Sequence, residues 1–426
     1  MSLTKTVGFF AVTTLAVGGA AFGAEQNNDT LAQIAELKAE IAQLKGAQGG
    51  QWLTEQRAAE IRGIVTDVLA DAETRSSLQG AAGSGYNGGF FLSSADGNFS
   101  MKINVLEQIR WTFNDNDSTQ AYGFENKRTR LSFGGNIVDS SWSYKVAYYF
   151  GYSNSNESFG AGELSDVSVT KDLGSGWGLT VGQFKLPFSA EYGLDAGNLQ
   201  FNDYSVVNTL MGTGYGQGIN LGYAADQFRF NAAYVNAIGE ANEAWNGTSP
   251  NADWAFAIRG EYKLSGDWSQ FNDGQSWKGE GFGALVGIGY AAERSDISDD
   301  TPSFLTVDAT VDFGGANIAA AYYMTDADTG AVTDEATGFT VAGGVFLADD
   351  FEAVARYENY EPDGGSELNT LVVGGNWYMA KNTAKLGLEF GYAFDAVPGG
   401  AEFAGWTNSG TADGEWLLQA QMSFSF

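Results

Sequence analysis

Apolar and polar residues alternate one by one over most of this chain. In Phe99–Phe113 the odd positions hold Phe99, Met101, Ile103, Val105, Glu107, Ile109, Trp111 and Phe113. Ser100, Lys102, Asn104, Leu106, Gln108, Arg110 and Thr112 lie between them. Side chains of a β-strand point alternately to its two faces, so this spacing predicts a strand with one oily and one polar face. The chain ends in the same way, with Trp416, Leu418, Ala420, Met422, Phe424 and Phe426 on one face. Similar runs occur at Trp142–Phe150, Trp177–Lys185, Phe228–Tyr234, Trp254–Leu264, Phe282–Ala292 and Leu305–Phe313. They continue at Ile318–Met324, Phe339–Leu347, Phe351–Tyr357, Leu371–Met379 and Leu386–Phe394. With weaker candidates at Arg128–Ile137, Leu164–Thr170 and Ile219–Tyr223, the pattern predicts about 16 strands.

Ahead of Phe90 the period is different. Met1–Ala24 carries Lys5, an apolar run Val7–Val17 and the small residues Gly18–Ala21. It reads as a secretory signal peptide cleaved after Gly23 or Ala24, because the run is shorter than the ~20 residues of a spanning helix. In Leu31–Leu44, Ile34, Leu37, Ile41 and Leu44 follow an a–d heptad spacing, which reads as a short oligomerisation stalk or a lone amphipathic helix. Gly46–Gly50 interrupts it, and Ile61, Ile64, Val65, Val68 and Leu69 mark a second helix. The expected organisation is a signal peptide over 1–24, a helical or coiled-coil segment over 25–80, a Gly/Ser/Asn linker over 81–89 and a barrel over 90–426.

The alternation fits a barrel in lipid better than a soluble sandwich. Strands of about nine to thirteen residues match the ~9–11 needed to cross a bilayer at a tilt. Aromatic residues stand at strand ends (Trp111, Trp142, Trp177, Trp254, Trp416, Phe426), as an interfacial girdle requires. Tight connections such as Asp139-Ser140-Ser141 and Asp226-Gln227 alternate with long polar ones. An open sheet edge is not tolerated in lipid, so the expected fold is a closed all-β transmembrane barrel of antiparallel strands.

Composition works by exclusion. With His 0 and Cys 0 there is no disulfide framework, zinc finger, Ser-His-Asp triad or Cys-His dyad. Lys+Arg 22 against Asp+Glu 52 gives a net charge of −30, which excludes a nucleic-acid partner. Nearly all of that excess lies beyond residue 90. The paired carboxylates Asp299/Asp300 and Asp349/Asp350 sit in polar runs and read as solvated, so no enzyme is expected. No cofactor is implied, although acidic loops containing Asp115, Asp117, Asp326, Asp328 and Asp334 suit loosely bound divalent cations.

Sixteen strands leave an aqueous lumen where eight would leave a side-chain core. The long connection 186–216 either folds into that lumen and narrows it or stands outside as a solvated loop. Lys185, Glu191, Asp195 and Asp203 are its candidate constriction residues. Lys102, Arg110, Arg128, Arg130 and Lys145 fall on the polar faces of three successive strands, with Lys127 nearby. They form a candidate basic wall able to guide anions. The alternative for these cations is pairing with lumenal Asp166, Asp308, Asp312, Glu261 or Glu389.

Lys127–Asn136 (KRTRLSFGGN), Tyr144–Phe150 (YKVAYYF) and Gly174–Glu191 (GSGWGLTVGQFKLPFSAE) resemble the phosphate-selective porin O and P family. The closest likeness is at Val181, Gly182, Gln183, Phe184, Lys185, Pro187 and Phe188, where a strand end leads into the family's constriction loop. Gly218–Leu221 resembles the strand that resumes after it, and Phe426 resembles the C-terminal assembly signal of outer-membrane barrels. Ile61–Leu78 is similar to helices preceding planctomycete-type porins. The resemblance implies a 16-stranded barrel, a homotrimer and ion diffusion through each monomer. The family's arginine ladder and lysine cluster are not matched, since the remaining basic residues (Arg229, Arg259, Lys263, Arg356) are scattered.

The expected protein is therefore a porin in the outer membrane of a diderm bacterium, passing ions and small hydrophilic solutes. An anion- or phosphate-selective channel is the alternative. A third reading has segment 25–80 contact the cell wall and tether the membrane to it.

Overall fold

The structure, a computed structural model, describes residues 35–43, 59, 61–67, 83–116, 120–150, 163–239, 241–242, 252–295, 301–326, 335–399, 401–407 and 413–426. Two units are present, Met1–Gln79 and Gly80–Phe426. In the first, residues 35–43 and 61–67 are helical. The expected signal peptide, and Ile34 and Leu44 of the heptad seam, lie outside the described residues.

The second unit opens with a hairpin, β1 (Ser84–Tyr86) and β2 (Phe90–Ser93). Barrel strands follow: β3 (Ser100–Asp115), β4 (Gln120–Ile137), β5 (Asp139–Tyr149), β6 (Glu163–Gly174), β7 (Trp177–Lys185) and β8 (Tyr215–Ala224). Next come β9 (Phe228–Val235), β10 (Ala252–Ser265), β11 (Gly283–Ser295), β12 (Ser303–Asp312) and β13 (Ala316–Asp326). The last are β14 (Ala336–Phe346), β15 (Phe351–Pro362), β16 (Leu368–Tyr378), β17 (Ala384–Ala393) and β18 (Trp416–Ser425). Each of these 16 strands pairs antiparallel with the next, and β18 returns to β3 from Trp416↔Asp115 to Ser425↔Leu106. The sheet is closed, and each alternating run of the sequence holds one strand.

Closure leaves one gap, and the hairpin fills it. β18 covers β3 from Leu106 upward, and the Phe426 backbone bonds both ways with Val105 at 2.7 and 3.0 Å. Below that, β2 takes the same edge of β3, pairing Phe90↔Ile103 through Ser93↔Ser100. The segment read as a linker over 81–89 therefore contains a strand, and residues 90–93 precede the barrel proper. Strands of three and four residues are too short for alternation to reveal.

The outward face keeps large apolar side chains exposed on every side, among them Ile219, Ile258, Ile288, Val307, Ile318, Val373 and Leu388. Such a band is stable only against lipid. Cross-strand aromatic pairs stand at its borders, Trp177–Tyr223 with centroids 4.8 Å apart and Phe113–Trp416 at 5.0 Å.

At the end that carries Phe426 the connections are tight (138, 175–176, 225–227, 313–315, 347–350 and 379–383), with one exception. Residues 266–282, between β10 and β11, turn inward. Trp277 is buried against Phe346 and Tyr378, and the Gly274 N–H donates to the Asn198 carbonyl of the long loop at 2.9 Å.

Candidate functional site: the loop inside the barrel

The connection between β7 and β8 folds into the lumen. Ser189 caps helix α1 (Ala190–Gly193), its Oγ accepting from the Tyr192 N–H at 3.1 Å. Asp195 caps the 3-10 turn Ala196–Asn198. Ser205 caps α2 (Val206–Met211), accepting from the Asn208 N–H at 3.0 Å. These short-side-chain caps satisfy helix-end donors that would otherwise face no water. The loop's apolar residues Leu186, Phe188, Val207 and Met211 pack against lumenal Ala233, Ala257, Ala291 and Tyr323. Each such large side chain contributes about 1.5–3 kcal/mol through burial. A solvated outer loop is thereby excluded.

On one side the loop is clamped by charge. Asp203 receives Arg110 Nη2 of β3 at 2.9 Å, and Lys127 Nζ and Arg128 Nη2 of β4 at 3.1 and 2.6 Å. Burial opposes ionisation of Asp203, but Arg128, Lys127 and Arg110 together hold its carboxyl well below the usual carboxylate range. Arg130 Nη2 reaches both oxygens of Asp195 at 2.9 and 2.7 Å. Asp195 likewise stays below its ordinary value, with burial outweighed by Arg130. Lys185, at the loop's root, donates to the Tyr192 and Leu194 carbonyls at 2.8 Å each and lies over both the Tyr192 and Tyr204 rings.

The other wall holds the loop mostly by its backbone. Arg259 of β10 donates to the Phe188 carbonyl and to Asp308 Oδ2, both at 2.7 Å. Arg356 of β15 donates to the Asp203 carbonyl at 3.0 Å, and Glu389 of β17 accepts the Asn202 N–H at 2.6 Å. Lys385 donates to the Leu199 carbonyl. Glu191 accepts from the Ser205 N–H at 2.6 Å, and burial raises its pKa against the pull of Arg356. Gly289 makes the close approach possible, because a Cβ there would lie 2.2 Å from the Phe188 carbonyl oxygen.

The sequence-predicted cations separate into three groups. Arg110 and Arg128 converge on Asp203, and Arg110 has 0% side-chain exposure. Arg130 meets Asp195. Lys145 pairs with Asp166 at 3.1 Å yet stays 52% exposed in the lumen. Lys102 lies apart from all of them, opposite Phe91 of the hairpin. Phe426 sits on the closing seam. Of the pairings anticipated for the basic wall, Lys145–Asp166 forms, whereas Asp308 and Glu261 are taken by Arg259 and Arg229 of the opposite wall at 2.7 and 3.0 Å. The seats offered by Arg356 and Lys385, and the inward turn of 266–282, carry no local signal in the sequence. Among the described residues no group of three or more carboxylates is arranged to hold a metal ion.

Beside the clamped loop a cavity of about 520 Å³ remains between its residues and the wall of β9–β14. Small lumenal residues (Gly287, Thr310, Ala319, Ala321, Ala342) keep that wall low.

The sequence profile of the family described as phosphate-selective porin O and P matches residues 96–344, more than half of the chain. No curated protein sequence matches. Among solved structures, the chain is similar to an anion-selective porin from Comamonas acidovorans (12% identity, TM-score 0.56, covering 76% of this chain and 99% of that one). It is also similar to Salmonella typhi OmpF in complex with daunomycin (12% identity, TM-score 0.53, 78% and 98%). A third likeness is to OmpT of Vibrio cholerae (14% identity, TM-score 0.50, 77% and 98%). At these identities the likeness concerns the fold.

Proposed function

This chain belongs to the phosphate-selective porin O and P family, and from that premise we infer that it is a general-diffusion porin. As an outer-membrane channel it passes ions and small hydrophilic solutes around the clamped loop, with a lean toward cations. The carrying observation is the triple clamp on Asp203. Anion selection needs donors that face the water path, and Arg110, Arg128 and Arg130 spend theirs on the loop's carboxylates. The acidic outer loops add to the lean by concentrating cations at the mouth, and any divalent cation there is loosely held.

Export through a cleaved signal peptide at 1–24 and assembly as a homotrimer belong to the same proposal. A tethering role for 25–80 draws on its exposed apolar positions, Leu37 at 54% and Ile64 at 63%, which call for partner helices.

Reversal potential in planar bilayers under a KCl gradient tests the main reading. A cation-leaning value that millimolar phosphate leaves unchanged supports it. Block by low phosphate, abolished in Arg128→Ala/Arg130→Ala, would instead establish the phosphate-selective alternative.

A further inference from the structure

The clamped loop leaves one chamber unfilled in the lumen, the cavity of about 520 Å³. Its roof is loop (Asp195, Asn198, Gln200), its side is the β9–β14 wall, and its floor is residues 271–274 of the segment that turns in from the end that carries Phe426. That floor is fixed: the Asn198 Nδ2 donates to the Asn272 carbonyl at 3.1 Å, and Asn317 Nδ2 donates to the Gly274 carbonyl at 2.8 Å. The volume lies within the ~300–1,000 Å³ of small-molecule pockets.

Charge does not do the recognition here, because every charged side chain lining the chamber is already engaged. Arg229 meets Glu261 at 3.0 Å, and Arg259 bridges Glu261 and Asp308 at 3.2 and 2.7 Å. Asp273 accepts from Trp277 Nε1 at 2.8 Å and from Asn382 Nδ2 at 3.0 Å. Asp195, Asp203, Glu191 and Arg356 belong to the loop's seat. A charged solute would have to break one of these pairs to gain a partner, leaving the other member buried and uncompensated. The unspent capacity is neutral. Asn231 uses its Oδ1 on Asn220 at 3.2 Å and keeps its own amide donors. The Asn272 side chain is exposed and, with the Thr310 hydroxyl, carries no hydrogen bond within the described residues. Phe271 and Leu285 add apolar surface beside these groups.

We infer that this chamber retains small uncharged solutes rich in hydroxyl or amide groups during passage. The inference rests on the porin reading and narrows its substrate class. The test is current block of the refolded full chain in planar bilayers, with sucrose as the neutral probe and potassium phosphate as the charged one. Sucrose is expected to reduce the current saturably, and phosphate is not. Asn231→Ala/Asn272→Ala is expected to raise the half-blocking sucrose concentration about fivefold, the worth of one hydrogen bond. Conductance steps whose decline with sucrose follows viscosity alone, equally in both proteins, would overturn the chamber inference and leave the porin intact. Saturable block by phosphate would overturn it too. Absence of any steps from folded protein would overturn the porin reading and this one together.

Discussion

Arg128 of β4 and Asp203 of the lumenal loop meet at 2.6 Å, and each also serves the other's neighbours: Arg128 donates to Gln108, and Asp203 takes Arg110 and Lys127. One carboxylate thus engages three cations of a wall that the sequence alone presents as an anion guide. The contact that holds the loop in place is also the one on which the proposed lean toward cations rests.

Asp203→Asn keeps the shape and removes the charge. Three buried cations then lose their counter-ion, a loss of about 3–5 kcal/mol for a broken buried pair. The urea midpoint is expected to fall and the reversal potential to move toward anions. Unchanged selectivity in a folded variant would show that Asp203 does not govern how the basic wall acts on passing ions.

Acid should release the loop late. Asp203 and Asp195 have depressed pKa values, so their contribution is complete above the ordinary carboxylate pKa, about 3.9, and is lost as pH falls through their lower folded values. Glu191 is raised, so its contribution is full at low pH and fades as pH rises through its folded value. Open-channel conductance is expected to hold steady from mildly acidic to neutral pH and to become noisy below about 4. A transition centred near pH ~5–6 that persists in Glu191→Gln would contradict the clamp.

Gly289→Ala drives a methyl group into the Phe188 carbonyl. Because the obstacle is backbone, the loop has to shift, at a cost of about 1–3 kcal/mol. Lower thermal stability with an altered conductance level is expected. Wild-type values for both would mean that the loop does not rest on β11.

Removing 25–79 spares the unit Gly80–Phe426, including the hairpin that seals β3. Single-channel conductance is expected to persist while the oligomer, judged by native electrophoresis, loosens. Loss of conductance from folded protein would assign the helical segment to the pore itself.

The barrel was legible because lipid on one face and water on the other impose a period of two on every strand. The upper half of β4 escaped, since Tyr122 and Phe124 alternate with Gly123 and Glu125, too mixed a set to read as a strand face. Lys127 and Arg128 are neighbours that strict alternation would send to opposite faces. Opposite Gln108/Ile109 the register skips one residue, and both reach Asp203. The inward turn of 266–282 was illegible for a different reason. Its polar, glycine-bearing sequence suits water, and only distant partners such as Asn317, Phe346 and Asn382 make the lumen the better place.

The seam between β3 and β18 also orders assembly in time. The two strands that close the barrel are the first and the last of the sixteen to leave the ribosome, so the wall cannot complete until β18 arrives. Until then β3 offers bare hydrogen-bonding groups to any passing strand. The early-made hairpin masks the lower part of that edge and leaves the stretch that β18 will occupy. A chain that lacks β18 altogether would therefore stall as an open sheet, a species that sticks to its neighbours and invites proteolysis.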